Sequence, residues 1–232
     1  SALIASVTRN IGVAVNSGLV AAQAVGGPTR MLAQPVASSS AVSASFGSSN
    51  TFPAFAPTGQ FYSSAGTSLQ IYTPPFTNAS TPSSTITFPI GISSVAVDSA
   101  GNIYINNGST GIAAATSGGT ITANITIAGK FYREMVLSST QLFACNISGG
   151  TGSVDVFTLP LTNASTPAFS ITAVNGPEGC ALDSTGNLYV ANVNDGTISR
   201  FAAPFSGSST ANLTLTVVNP NTDAIFGIAI GP

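Results

Sequence analysis

A unit of about ten residues recurs along this chain and constrains its fold more than any other feature. Residues 95–104 read V-A-V-D-S-A-G-N-I-Y, and residues 180–189 read C-A-L-D-S-T-G-N-L-Y. Two weaker copies are present, and the aromatic residues of the four copies are Tyr62, Tyr104, Phe143 and Tyr189. A strand-rich repeat with a period of roughly 40 to 50 residues is typical of ring-shaped β arrays.

Each repeat resolves into four short strands. The first is apolar, and a tight turn follows it, opened by Asp98 or Asp183 and closed by Gly101 or Gly186. Asp accepts backbone hydrogen bonds in such turns and Gly supplies a positive φ, so the turn accounts fully for both acids. The second strand carries the aromatic residue, which we expect to pack between units. The third strand ends near a proline, where strand pairing stops. The fourth strand alternates threonine with apolar residues, as does a strand that has one face exposed to solvent.

The repeats resemble the NHL-type β-propellers of secreted bacterial proteins. The resemblance rests on residues 91–106 and 177–192 and on the third-strand sequences I-Y-T-P-P-F, V-F-T-L-P-L and R-F-A-A-P-F. It covers about residues 52–230 and implies an all-β, β-propeller-like array of about four four-stranded blades. The turn aspartate is missing at Pro57 and at Ser138. The blades are expected near residues 52–90, 92–128, 133–173 and 178–217, within a repeat region of residues 51–232.

An apolar strand at residues 226–230 is left over after these blades. Two arrangements are open: the strand returns to complete the first blade and closes a four-bladed ring, or the ring stays open. We favour closure, because a C-terminal closing strand removes an exposed sheet edge.

Residues 1–50 carry no copy of the repeat and are interpreted as an N-terminal extension and linker. Ile11, Val13 and Val15 alternate with smaller or polar residues, which indicates a strand, and Leu19 and Val20 add apolar surface. Because the blades have no place for this segment, we expect it to cross to another subunit and add to a sheet edge there. Such a head-to-tail contact makes a homopolymer.

Charged residues make up only 5% of the chain, against about 25% in ordinary soluble domains. The net charge is −2, with five basic residues, seven acidic residues and no histidine. This composition gives no electrostatic footprint for nucleic acid, and no apolar run is long enough to span a membrane. Scarce lysine and abundant Ser and Thr favour export to the cell surface or beyond. A first residue Ser1 fits a removed signal peptide as well as a longer N-terminus.

Covalent glycans are expected, because Asn-X-Ser/Thr triplets occur at matched repeat positions. Asn78 and Asn163 follow the third strand in T-N-A-S-T-P, and Asn124 and Asn212 lie on the fourth strand. These are outward rim positions, although ordinary strand-edge residues inherited with the repeat would look the same. The candidate attachment sites are Asn78, Asn107, Asn124, Asn146, Asn163 and Asn212.

Two cysteines, Cys145 and Cys180, lie near neighbouring inner strands. They either form a disulfide or act as two small buried apolar residues. Two thiols without histidine cannot complete a zinc shell.

Acidic residues precede three inner strands at Glu134, Glu178 and Asp223. In the sugar-acid lactonases and related propeller enzymes, a metal at the channel mouth is held by Glu, Asn and Asp. Three acids there could bind Ca²⁺; we favour instead loop acids in water, or Glu134 paired with Arg133 or Lys130. Without histidine there is no base poised near neutrality and no Ser–His pair. We therefore predict no catalytic or metal site, no cofactor and no enzymatic activity.

These observations favour an extracellular, glycosylated structural subunit that self-assembles into a fibre or surface layer through its N-terminal segment. The alternatives are a propeller that binds a glycan or peptide and an acid-ligated, metal-dependent lactonase or hydrolase.

Overall fold

A computed structural model describes residues 53–77, 79–106, 109, 111–216 and 225–230 of the chain. It also defines strand positions and pairing for residues 3–7, 10–16, 19–24, 28–33 and 42–48. Every regular element in these ranges is a β-strand. The described part contains no helix of the length and apolarity that a membrane crossing requires.

The strands follow one another along the chain in hairpin order. The N-terminal strands are β1 (Leu3–Val7), β2 (Asn10–Asn16), β3 (Leu19–Ala24), β4 (Pro28–Ala33) and β5 (Val42–Ser48). The next eight are β6 (Ala54–Phe55), β7 (Phe61–Ala65), β8 (Ser68–Tyr72), β9 (Ser84–Thr87), β10 (Ser94–Val97), β11 (Ile103–Asn106), β12 (Gly111–Ala115) and β13 (Ile121–Thr126). The last nine are β14 (Tyr132–Leu137), β15 (Gln141–Asn146), β16 (Ser153–Thr158), β17 (Phe169–Ile171), β18 (Pro177–Leu182), β19 (Leu188–Asn192), β20 (Thr197–Phe201), β21 (Leu213–Thr216) and β22 (Ile225–Ile230).

Four antiparallel sheets of four strands correspond to the four predicted repeats. Their strand orders are β6-β7-β8-β9, β10-β11-β12-β13, β14-β15-β16-β17 and β18-β19-β20-β21. We call them blades I to IV in that order. The all-β, propeller-like fold class predicted from the sequence is confirmed, whereas assignment to the NHL type stays a prediction.

The aspartate turns between the first two strands of a blade form as predicted. Asp98 Oδ1 accepts the backbone N–H groups of Ala100 and Asn102 at 2.9 and 2.8 Å, and Gly101 has a φ of 82°. The turn at Asp183 repeats this geometry. Although burial acts to raise the pKa of Asp183, hydrogen bonds from Asn187 and Thr185 lower it below its usual range. These acids therefore shape turns.

Apolar side chains pack between successive blades. One core joins Tyr62 and Ile86 of blade I to Ile103 and Ile105 of blade II. Equivalent cores join blade II to blade III and blade III to blade IV. The aromatic residues pack between sheets, as predicted: Tyr62, Tyr104 and Phe143 are buried in these cores, and Tyr189 packs against a further core that joins blade IV to β22.

The inner strands of successive sheets contact one another in a closed circle. The order of contact is β2, β6, β10, β14, β18, β22 and again β2. Strand β22 does not complete blade I, as the favoured closure required; it pairs antiparallel with β1, from Leu3 opposite Ile230 to Val7 opposite Ile225. The N-terminal segment therefore takes part in closing the ring.

The N-terminal segment also contributes a sheet of order β2-β3-β4-β5. Ile11, Val13 and Val15 lie on β2, which pairs within the same chain with β3, the strand that holds Leu19 and Val20. The segment thus has a place beside the repeats that its sequence did not signal, because it lacks the aspartate turn and the aromatic residue. Its crossing to another subunit stays a prediction.

Candidate functional site at the ring axis

The inner strands enclose an axial cavity of about 220 Å³. Most of the residues that line it are apolar, with Ala96, Val136, Ala181 and Ala229 at corresponding positions of four inner strands. Among the described residues that line the cavity, Glu134 is the only acidic one. This carboxyl group is therefore the chemically distinct feature of the axis.

The Glu134 side chain reaches from blade III to the two inner strands that follow it. Its Oε2 accepts the backbone N–H of Cys180 at 3.0 Å, and the backbone N–H of Ile228 also donates to the carboxylate. Ser94 lies at the same inner-strand position of blade II and accepts the backbone N–H of Met135 at 3.2 Å. The position thus links the inner strand of blade II to that of blade III, and the inner strand of blade III to that of blade IV.

Glycine at position 179 leaves the room that the Glu134 carboxylate occupies. A Cβ at Gly179 would lie 2.8 Å from Glu134 Oε2 and 2.8 Å from Gly227 Cα. Burial raises the pKa of Glu134 well above its usual value, and the two backbone donors oppose that rise. The carboxyl group is therefore held in place while its environment favours the protonated form.

Glu178 lies beside this site and is paired with Arg133. Arg133 Nε is 3.0 Å from Glu178 Oε2, and the Glu178 side chain is only 7% exposed. The Arg133 Nε–H has no hydrogen-bond partner, so the contact is an ion pair without an aligned hydrogen bond. Burial raises the pKa of Glu178, and Arg133 partly offsets the rise. The expected pairing of Glu134 with Arg133 is wrong, because the guanidinium turns to Glu178.

The alternative pairing expected from the sequence, Glu134 with Lys130, is also wrong, because Lys130 binds Asp155. Lys130 Nζ lies 3.0 Å from Asp155 Oδ2, and Asp155 is fully buried. The carboxylate also accepts hydrogen bonds from Tyr132 at 2.9 Å, Ser153 at 2.8 Å and Ser170 at 2.6 Å. Burial, then the Asp155 charge and hydrogen bond, raise the pKa of Tyr132. Sequence reasoning missed this cluster, since its one signal is an acid within the apolar strand V-D-V-F.

The described acids do not fit a divalent-metal site. Glu134 faces backbone donors and Glu178 faces a guanidinium, and in the described part of the chain no group of three or more His, Cys, Asp and Glu residues is placed to hold a metal ion. Asp223, the third member of the candidate Ca²⁺ set, lies outside the described residues.

The candidate glycan sites fall into three groups. Asn124, Asn163 and Asn212 are exposed, on or next to the outermost strands. Asn146 is 3% exposed; its side chain accepts the backbone N–H of Phe131 at 2.9 Å and donates to Ser153 at 3.0 Å. Its buried, hydrogen-bonded side chain leaves no room for a glycan in the folded chain, which argues against attachment there. Asn78 and Asn107 lie outside the described residues.

Comparison with known proteins identifies the fold but not a family. No protein-family model matches the chain, and no curated protein matches it. A solved structure of a protein from Lactobacillus plantarum has a TM-score of 0.65 and 15% identity, over 93% of this chain and 72% of that one. A functionally unknown protein from Desulfotomaculum acetoxidans gives 0.67 and 16%, over 94% and 74%.

A third similar structure bears on catalysis. It is a candidate 6-phosphogluconolactonase from Bacteroides uniformis, with a TM-score of 0.67 and 16% identity, over 92% of this chain and 72% of that one. This finding corrects our prediction that the chain is not an enzyme. A similar fold occurs in a candidate 6-phosphogluconolactonase, so the absence of histidine from this chain does not exclude catalysis. At this identity the likeness establishes the fold alone.

Proposed function

We propose that this chain is an extracellular structural subunit that self-associates by addition of a β-strand at the sheet formed by β1 and β22. That sheet has two strands, whereas the other sheets of the described chain have four. Among the described strands, β1 pairs with β22 alone. Its second edge therefore presents backbone donors and acceptors that a strand from another subunit can use.

The observation that carries the proposal is the exposure of Leu215 on β21. Leu215 lies opposite Ile198, as Ile86 lies opposite Leu69 and as the fourth-strand isoleucines of blades II and III lie opposite their third-strand partners. Leu215 is 40% exposed, but the equivalent residues Ile86, Ile125 and Ile171 are 8%, 4% and 0% exposed. Blade IV therefore exposes an apolar residue on its outermost strand, whereas the equivalent residues of blades I to III are buried.

The two-stranded sheet explains this difference. Ile86 belongs to the same buried core as Ile105 and Ala113, which lie on the second and third strands of the next blade. The blade that follows β21 is the β1–β22 sheet, and the described chain supplies no third strand there. Leu213 on the same strand is also 40% exposed. Covering both leucines would contribute roughly 1 kcal/mol each.

The occupant we propose is the N-terminal segment of a second copy. Within one copy, β1 pairs with β22 and β2 pairs with β3. A strand from that segment of a second copy can pair with the second edge of β1 and add a third strand to the sheet, whereas exchange of the existing pairings would leave the sheet two-stranded. Addition from each copy to the next, rather than between two partners, produces a head-to-tail polymer.

The low charge of the chain supports an exported, glycosylated form. With five basic and seven acidic residues in 232, charge repulsion contributes little to solubility. Asn124, Asn163 and Asn212 are exposed on the outer part of the blades, where attached sugars would extend into water. We propose these three residues as attachment sites. An intact mass of native material equal to that of the bare 23.0 kDa chain would contradict the proposed glycosylation.

Self-association is tested by substitution of the exposed leucines. The double variant Leu213→Thr, Leu215→Thr keeps β propensity and removes the apolar face, so we expect assemblies seen by electron microscopy to be lost or greatly shortened. Ile121→Thr is the matched control, because Ile121 is 37% exposed on the fourth strand of blade II, away from β1. A monomeric parent chain at high concentration, or equal assembly of the double variant, would refute the proposal.

A second candidate function is hydrolysis of a sugar lactone. It is favoured by the likeness to the candidate 6-phosphogluconolactonase and by Glu134 in the axial cavity, with Glu178 beside it. Because the described acids do not fit a metal site, we propose no metal-assisted step. The test is acid release from 6-phosphogluconolactone by the parent chain and by Glu134→Gln and Glu178→Gln, with folding checked by circular dichroism. Release at the uncatalysed rate by the folded parent chain would eliminate this candidate.

A further inference from the structure

Two buried thiols lie at the boundary between blades III and IV. Cys145 on β15 and Cys180 on β18 are 0% and 2% exposed, and both are free thiols in the structure. Cys180 Sγ lies 3.6 Å from the Glu134 carbonyl oxygen and 3.9 Å from the Phe143 carbonyl oxygen. The sulfur of blade IV therefore rests on the β14–β15 ladder of blade III.

The register of that ladder places Cys145 beside the same point. Tyr132 pairs with Asn146 and Met135 with Ala144, and the irregularity between these pairs leaves Arg133 and Glu134 together opposite Cys145. Cys145 and Phe143 are two residues apart on one strand, so their side chains share a face. Cys145 and Cys180 belong to one core cluster, and burial, followed by the neighbouring Cys180 thiol, raises the pKa of Cys145.

We propose that Cys145 and Cys180 form a disulfide bond between blades III and IV when the chain folds under oxidising conditions. A thiolate of one cysteine attacks a low-molecular-weight disulfide such as oxidised glutathione, and one glutathione thiolate leaves. The second cysteine then attacks the mixed disulfide and releases the second glutathione. The two cysteines lose two protons and two electrons, and the glutathione disulfide is reduced to two thiols.

Because both thiols are buried in the folded chain, we expect the disulfide bond to form during folding and not afterwards. In the folded chain, burial raises the pKa of Cys145 well above its usual value, so the reactive thiolate is scarce and the oxidant has no access. The bond therefore forms during folding, before the two blades close, and is afterwards shielded from reductants. It ties the second strand of blade III to the inner strand of blade IV and encloses residues 146–179.

The experiment compares two routes to the oxidised chain. Reduced chain is unfolded and refolded in a glutathione redox buffer, then denatured and treated with N-ethylmaleimide. We expect no maleimide to add and the intact mass to be lower by two hydrogens than that of the reduced chain. Folded, reduced chain placed in the same buffer should oxidise at least tenfold more slowly. The refolded, oxidised chain should have a Tm about 5 °C higher, and dithiothreitol under denaturing conditions should abolish the rise.

Cys145→Ala is the control variant. After the same refolding it should add one maleimide, at Cys180, and its Tm should not respond to the redox buffer. Two maleimides on refolded parent chain that is folded by circular dichroism would overturn the proposal. Covalent dimers on a non-reducing gel would also overturn it, because they show pairing between chains. These readouts do not depend on self-association, so they separate this inference from the proposed function.

Discussion

The carboxylate of Glu134 accepts the backbone N–H of Cys180 at 3.0 Å, and so links the inner strands of two neighbouring blades beside the ring axis. The same carboxylate is hydrogen bonded to the backbone of Ile228 on β22. One side chain thus connects β14, β18 and the strand that closes the ring.

Replacement of Glu134 by alanine should destabilise the fold strongly. It leaves two buried backbone N–H groups without an acceptor and creates a cavity, and we expect a loss of about 2–5 kcal/mol in the free energy of unfolding measured with urea. Glu134→Gln keeps an acceptor oxygen and should lose less than half as much. Equal losses for the two variants would show that the acceptor oxygen of residue 134 does not account for the stabilisation.

The free energy of unfolding should depend on pH through the titration of Glu134. Burial raises its folded-state pKa well above the ordinary value of 4.5, so the folded chain binds a proton that the unfolded chain releases. The stabilisation from this proton is complete below pH 4.5 and is lost as the pH rises through the folded-state pKa. The stability of the parent chain minus that of Glu134→Gln should therefore fall from pH 4.5 upward. A difference that is constant or rises would contradict the assignment.

Gly179 should not tolerate a side chain. The Cβ of alanine would lie 2.8 Å from Glu134 Oε2 and 2.8 Å from the backbone of β22 at Gly227. Because backbone must shift, Gly179→Ala should lower the free energy of unfolding by about 1–3 kcal/mol. Gly91→Ala is the control, since its Cβ would meet nothing within 4 Å. Similar thermal unfolding curves for the two variants would show that the axis is loosely packed.

Asp155→Asn should destabilise blade III. The substitution leaves Lys130 without its carboxylate and replaces one acceptor oxygen by an amide donor that faces Tyr132, Ser153 and Ser170. We expect a loss of about 3–5 kcal/mol in chemical unfolding, because a buried charge pair is broken from one side. If Lys130→Met in the Asn variant restores none of that loss, the unpaired lysine is not its cause.

The sequence was sufficient for the repeat architecture, because its signals are local. The turn at Asp98 depends on residues within four positions along the chain, and the alternation of each strand marks its two faces. The N-terminal sheet was missed, because β2 to β5 have strand character without the aspartate turn or the aromatic residue that mark a repeat. Closure by pairing of β22 with β1 joins the two ends of the chain, a contact that no local pattern reports.

The axial site was only partly predictable for the same reason. The matching repeat positions of Glu134 and Glu178 predict that the two residues lie close together. Which of the two carboxylates Arg133 binds depends on the packing between blades, and no local pattern reports it. The Lys130–Asp155 pair joins residues on separate strands, and no motif connects them. The exposure of Leu215 is a property of the blade that follows it, not of its own strand.

A cryo-electron microscopy map of the assembled chain tests the central claim most directly, since it shows what lies beside β1 and over Leu215. The account predicts backbone density from a second copy, hydrogen bonded at the β1–β22 sheet and covering Leu213 and Leu215. A map in which subunits meet through other surfaces, with the edge of this sheet and both leucines still facing solvent, would contradict it.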